Sequence, residues 1–123
     1  METQNLHIKI DLMIMSGVDD GSIITYKSNQ GDGLMSEDNW TISIGRKDQN
    51  DLCLRNDTFV SRTHAKIHFK INRWWLEDCN STNGTFIENA KNFFDDMPVK
   101  GIIPIEIGQL FRVGRTWMRI QAK

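Results

Sequence analysis

Three short polar stretches carry the side chains best equipped for chemistry: Arg46 in "IGRK", Ser61 and Arg62 in "VSRTH", and Thr82 and Asn83 in "NSTNG". A guanidinium is a planar fork suited to bidentate phosphate binding. Hydroxyls donate or accept, and a carboxamide can grip an extended peptide backbone. Brought together, these groups would make a compact anion site beside a peptide clamp. None of the three stretches contains an acid that would spoil it, and the adjoining Asp48 and Asp78 are expected to brace the arginines or the loops. A phosphorylated side chain, with about −1.5 to −2 charges and three acceptor oxygens, fits such a set. Charge-assisted hydrogen bonds contribute about 1.5 to 3 kcal/mol each. Three or four of them, less the cost of association, correspond to an affinity on the order of micromolar. The plainer reading makes Arg46 a surface arginine paired with Asp48.

Other chemistries fit less well. Ser61 and His64 suggest a nucleophile and its base, but a hydrolase also needs an orienting acid, an oxyanion hole and a cleft. Three residues apart at a strand entrance, the pair reads better as a turn whose imidazole hydrogen-bonds loop backbone, so no enzyme is expected. His64, His68, Cys53 and Cys79 lack zinc-ligand spacing, so no metal is expected. No phosphate-binding glycine loop for nucleotides is present, "DDG" and "GDG" read as turns, and no cofactor is expected.

The formal net charge of −1 argues against a strongly basic nucleic-acid binder and against a polybasic membrane anchor. No apolar run approaches the ~20 residues needed to span a bilayer. The opening "METQNLHIKIDLMIMSG" alternates polar and apolar residues without a basic leader, and reads as a strand rather than a signal peptide. The expected setting is intracellular, cytoplasm or nucleus, with both cysteines reduced. The N-x-T sequons at Asn39, Asn56, Asn80 and Asn83 are then chance matches.

The elements that must position these side chains are strands. "HIKIDLMIM", "SIITYK", "TISIG", "AKIHFKI", "WWLED", "LFRVG" and "WMRIQ" show period-two alternation and are rich in Ile, Val, Phe and Trp. Turn signals such as "SGVDDGS", "SNQGDG", "KDQND" and "NSTNG" separate them. At 123 residues, 39% hydrophobic and 25% charged, with no composition break, the chain reads as one all-β domain over residues 1–123, a sandwich or barrel. One segment dissents. In "ENAKNFFDDMP", Ala90, Phe93, Phe94 and Met97 match a helix face that Pro98 would stop. That predicts a long connection with a helical turn whose aromatics cap an open end, or else a partner-binding loop.

The ordered set G-R, S-R-x-H-A-x-I and W-x-L-x-D-x-x-S-T-N-G-T-F resembles the forkhead-associated (FHA) domain. Its members here are Gly45 and Arg46; Ser61, Arg62, His64, Ala65 and Ile67; and Trp74, Leu76, Asp78 and Ser81 to Phe86. The closing "IEIGQLFRVG" is similar to the family's penultimate turn and strand. The resemblance runs from about residue 6 to the C-terminus. It implies a β-sandwich of about eleven short strands that binds phosphothreonine peptides through loops at one end.

Carried over residue by residue, the resemblance implies that Arg46 and Ser61 hold the phosphate with help from Arg62. Thr82 would edge the phosphothreonine pocket, and Asn83 would clamp the peptide main chain. Gly45, His64 and Gly84 would shape the loops. Asn80 stands where the family often has glycine, tolerable because asparagine accepts left-handed backbone. Asn89 and Gln109 also depart from common family residues, and the stretch from Asn89 to Pro104 is longer than usual. Phe59, pointing outward if Val60 points in, lies where ligand residues after the phosphothreonine should pass, which predicts an apolar preference there.

The expected function is a phosphothreonine-dependent interaction module that recruits a phosphorylated partner protein. The alternative is the same fold used as a structural subunit that docks constitutively, through a sheet face or through Phe93 and Phe94.

Overall fold

The structure, a computed structural model, describes residues 7–17, 19–89 and 91–121, with residues 92–95 described through their backbone only. The strands are β1 (Lys9–Ile14), β2 (Ile23–Lys27), β3 (Leu34–Ser36), β4 (Asn39–Gly45), β5 (Leu52–Cys53), β6 (Ala65–Lys70), β7 (Arg73–Asp78), β8 (Thr85–Asn89), β9 (Asn92–Pro98), β10 (Ile102–Pro104), β11 (Leu110–Val113) and β12 (Thr116–Ile120). The only described helical piece is a 3-10 turn at Ser28–Gln30. One sheet runs β2-β1-β12-β11-β8-β9. The other runs β10-β7-β6-β4-β3, with the short β5 pairing in parallel with β4.

Alternation along each strand decides which side chains lie between the sheets. Ile10, Leu12 and Ile14 of β1 face inward with Phe111, Val113, Met118 and Ile120. From the second sheet Trp40, Ile42, Ile44, Ile67, Trp74 and Leu76 meet them. Ile42, Ile67 and Leu76 stand in register across three strands, so one row of the core crosses the sheet. Each such side chain contributes about 1.5 to 3 kcal/mol by leaving water. Trp40 is fully buried, meets Trp74 edge-on at 6.3 Å between ring centres, and donates its indole N–H to the Asp32 carbonyl at 2.7 Å.

The registers also gather the loops. Ile44 pairs with Ala65 and Ala65 with Asp78, so the end of β4, the start of β6 and the end of β7 coincide. On the other sheet Val113 pairs with both Thr85 and Thr116. One end of the sandwich therefore holds the stretches 46–51, 54–64 and 79–84 together with the turn at 114–115.

One expectation needs correcting. The helical turn predicted around residues 90–97 is instead the edge strand β9, antiparallel to β8, with Phe86 opposite Pro98 and Ile87 opposite Met97. A single helical turn fixes several residues for one hydrogen bond, whereas pairing satisfies the open edge of β8 at once. Pro98 is tolerated at the end of an edge strand, where its missing N–H costs no ladder bond. Ala90 and the side chains of Phe93 and Phe94 lie outside the described residues. The described strands number twelve, in line with the expected sandwich of about eleven short strands, and β3, β5 and β10 are only two or three residues long.

Candidate functional site

Gly45 ends β4 with its Cα pressed against the neighbouring loop. A Cβ there would run into the Arg62 carbonyl oxygen and come within 2.6 Å of the Asn50 amide nitrogen. Only glycine permits that approach, and backbone bonds use it: Arg46 N–H donates to Ser61 O at 3.0 Å and Lys47 N–H to Arg62 O at 3.3 Å. The Asn50 amide spans the same gap, donating to Lys47 O at 2.9 Å and Arg62 O at 2.7 Å. The Arg46 loop and the Ser61 loop are thus stitched edge to edge.

Arg46 is exposed, and its Nε–H donates to Val60 O at 2.9 Å. That bond fixes the guanidinium plane, and among the described residues the two terminal nitrogens have no hydrogen-bond partner. Asp48 does not pair with it. Arg55 takes Asp48 instead, and this hydrogen-bonded ion pair holds the carboxyl below the usual carboxylate range. Both partners are exposed, so the pair's own stabilisation is small. Its consequence is local, since the acid nearest Arg46 in sequence is engaged elsewhere.

The third stretch is braced from behind. Asp78 accepts from the Ser81 hydroxyl at 2.6 Å, the Thr85 hydroxyl at 2.7 Å and the Ser81 N–H at 3.2 Å. Ser81 Oγ in turn accepts from Gly84 N–H at 2.9 Å. Asn80 turns the chain at φ 59° and Gly84 at φ 91°, left-handed values suited to asparagine and glycine.

This loop then meets the other two. Thr82 N–H donates to Ser61 Oγ at 3.0 Å, and the Asn83 amide donates to Phe59 O at 2.9 Å. His64, fully buried, accepts from Ser61 N–H at Nδ1 and lies 2.9 Å from Gly84 O at Nε2. Arg46, Ser61, Arg62, Thr82 and Asn83 therefore come together at one rim. Ser61 Oγ is an acceptor toward Thr82, so its own proton is free to be donated outward. Half of the Asn83 amide's donor capacity is committed to the chain itself, which leaves its oxygen and one N–H.

Sequence reasoning missed Asp57. Its carboxylate accepts from Phe59 N–H at 3.0 Å, Arg115 N–H at 2.8 Å and the Thr116 hydroxyl at 2.7 Å, tying the Ser61 loop to the β11–β12 turn. The only signal was an acid in an "NDT" turn. Phe59 does point outward while Val60 is buried, and the Arg115 guanidinium stacks on its ring at 3.9 Å. Cys53 and Cys79 are free thiols. Among the described residues, no group of three His, Cys, Asp or Glu side chains gathers as metal ligands would, and no helix is long and apolar enough to cross a membrane.

The FHA domain family model matches residues 42–101. The FHA domain-containing protein FhaB of Mycolicibacterium smegmatis is 29% identical over 118 residues, covering 96% of this chain and 64% of that protein, so the chain spans under two thirds of this relative. A solved FHA domain from a study of phosphothreonine-dependent FHA domain interactions superposes with a TM-score of 0.64 at 26% identity, covering 92% of this chain and 95% of the other. The FhaA FHA domain in complex with the intracellular domain of Rv3910 superposes with a TM-score of 0.63 at 27% identity, covering 91% and 99%. With the motif residues gathered at one end of a two-sheet sandwich, the chain is similar to forkhead-associated domains in both sequence and fold.

Proposed function

We propose that this chain, as one domain over residues 1–123, is a phosphothreonine-dependent interaction module that recruits a phosphorylated partner protein. The observation that carries the reading is the coupling of Arg46, Ser61 and Thr82. Arg46 is bonded to Val60 O and Ser61 O, and Thr82 N–H to Ser61 Oγ, so a guanidinium end and a free hydroxyl proton face one spot. Arg62, exposed beside Ser61, adds a second positive charge. Such donors match a dianion with three acceptor oxygens. Asn83 keeps an acceptor and a donor for ligand backbone. Solved relatives point the same way, one described by phosphothreonine-dependent interactions and one held in a complex with another protein's intracellular domain.

The domain acts by binding rather than by catalysis. His64 Nδ1 accepts from the Ser61 N–H, and His64 is fully buried, so it cannot serve as a base toward the Ser61 hydroxyl. FHA domains are interaction modules, and an intracellular partner suits this one.

The test is titration of a phosphothreonine peptide and its unphosphorylated twin. Tight binding of the first alone is expected, lost in Arg46→Ala and weakened in Ser61→Ala. Affinity should fall as pH drops below about 6, where the phosphate takes up its second proton and becomes a monoanion. Equal binding of both peptides would overturn the reading.

A further inference from the structure

The Asp57 clamp builds something that the phosphate site does not use. By holding Phe59 N–H and Arg115 N–H on opposite oxygens of one carboxylate, it sets the Arg115 side chain over the Phe59 ring, with the guanidinium 3.9 Å from the ring centre. Among the described residues, this stacking is the only contact of that guanidinium. Arg55, by contrast, is engaged by Asp48. Arg115 also stands at a cleft of about 450 Å³ lined by Cys53, Arg55, Asp57, Thr58 and Thr116, with Asp19 of the β1–β2 turn also contributing. Asp57 is spent on three donors, so Arg115 is the cation left with its donors unused.

Phe59 is also close to the proposed ligand. Its carbonyl accepts from the Asn83 amide, and Ser61 is two residues further along the chain. A chain leaving the phosphate site past Asn83 would meet Phe59 next. The sequence alone predicts an apolar preference there, but the guanidinium covers a ring face that is only 37% exposed as a residue. What is presented is a cation with its flat side held by an aromatic and its N–H edge free. That arrangement restricts the rotamers of a long side chain before binding and so lowers the entropy lost on engaging a carboxylate.

We infer that Arg115, held on Phe59 by the Asp57 clamp, is a specificity-determining residue that selects an aspartate or glutamate in the ligand following the phosphothreonine. This rests on the proposed phosphopeptide function.

The experiment is a set of phosphothreonine peptides carrying Asp, Ala, Leu or Lys at each following position, with unphosphorylated twins, measured by fluorescence polarisation. At one position Asp should bind about three- to fivefold tighter than Ala, the scale of a single exposed ion pair, and Lys should bind weaker. The Asp-to-Ala ratio should collapse to about one in Arg115→Gln, and the order of Asp and Lys should reverse in Arg115→Glu. The Asp57 clamp holds the Arg115 backbone N–H, so both variants keep it. Equal binding of Asp, Ala and Lys everywhere, a preference for Leu over Asp, or an acid preference that survives Arg115→Gln overturns the inference alone if phosphate dependence persists. If the phosphorylated and unphosphorylated peptides bind alike, the phosphate reading falls and this inference falls with it.

Discussion

His64 Nε2 lies 2.9 Å from the carbonyl oxygen of Gly84, twenty residues away, inside a fully buried ring environment. At the other side of the ring, Nδ1 lies 2.9 Å from the Ser61 amide nitrogen. An amide N–H can only donate, so Nδ1 accepts, the ring proton sits on Nε2, and Nε2 donates to Gly84. One imidazole thus locks the Ser61 loop to the Asn83–Gly84 turn without facing the rim itself.

His64→Ala should therefore damage both stability and binding. It strands a part-buried N–H and a part-buried C=O, each costing up to about 1 to 3 kcal/mol, so at most about 2 to 6 kcal/mol in total. Urea denaturation reads the first effect and phosphopeptide titration the second. A loss under about 1 kcal/mol would mean that solvent or a shift of the loop replaces the ring.

Asp78 supports the same turn from beneath through Ser81 and Thr85. Asp78→Ala removes three acceptor contacts at once and leaves the Thr85 hydroxyl, which is buried, without its partner. The expected cost is about 2 to 4 kcal/mol. Amide exchange at residues 81–84 should quicken more than exchange in the central strands. Uniform quickening would place the role of Asp78 in global stability alone.

Much of this was legible before any coordinates. The seven alternating stretches mark β1, β2, β4, β6, β7, β11 and β12, because a strand with one buried face writes period two into its sequence. β3, β5 and β10 are too short to show a period, and β9 carries an accidental helical spacing at Phe93, Phe94 and Met97. The motif residues named the rim, but the bonds behind it were invisible. Nothing in "NDT" tells that Asp57 reaches the β11–β12 turn, 58 residues on at Arg115, since that contact follows from the closing of the two sheets. Likewise the committed Nε of Arg46 and the partly spent amide of Asn83 depend on loop spacing, which sequence does not encode locally.

Ile71 and Asn72 make the two-residue hairpin between β6 and β7, with φ 53° and 57°. Both angles positive define the type of tight turn that favours Asn and Gly, and a β-branched residue is strained there. Ile71 is 84% exposed, so its side chain gains little in return. Ile71→Gly should raise stability by about 0.5 to 1 kcal/mol, the strain relieved less the entropy that glycine adds to the unfolded chain. Thermal melts should show the midpoint rising by a few degrees, and an unchanged or lower midpoint would sink this account.

Burial pushes the Cys79 thiol up, with Glu77 adding to the rise and Lys66 opposing it. A folded value above the unfolded one means that the native state holds its proton more tightly. The associated stability is fully present below the ordinary thiol value of about 8.5 and is lost as pH rises through the folded value. Wild type should thus lose more stability than Cys79→Ala as pH rises above about 8.5. Iodoacetamide at neutral pH should label Cys79 more slowly than a free peptide thiol, because the thiolate is the reacting form.

Arg46→Lys separates charge from geometry. The arginine can do two jobs at once, since Nε–H anchors it to Val60 O while its terminal nitrogens have no partner among the described residues. A lysine has one ammonium at the end of a flexible stem and cannot hold the carbonyl and span two phosphate oxygens together. If it reaches outward, Val60 O loses its partner, and if it turns inward the rim loses its cation. Fold stability should change by no more than about 1 kcal/mol, because Arg46 is exposed and water can take over at Val60 O. Phosphopeptide affinity should nevertheless fall about tenfold or more, the loss of one charge-assisted hydrogen bond. Isothermal titration of the phosphothreonine peptide measures it. Wild-type affinity in Arg46→Lys would show that a point charge suffices and that the Nε anchor has no part in recognition.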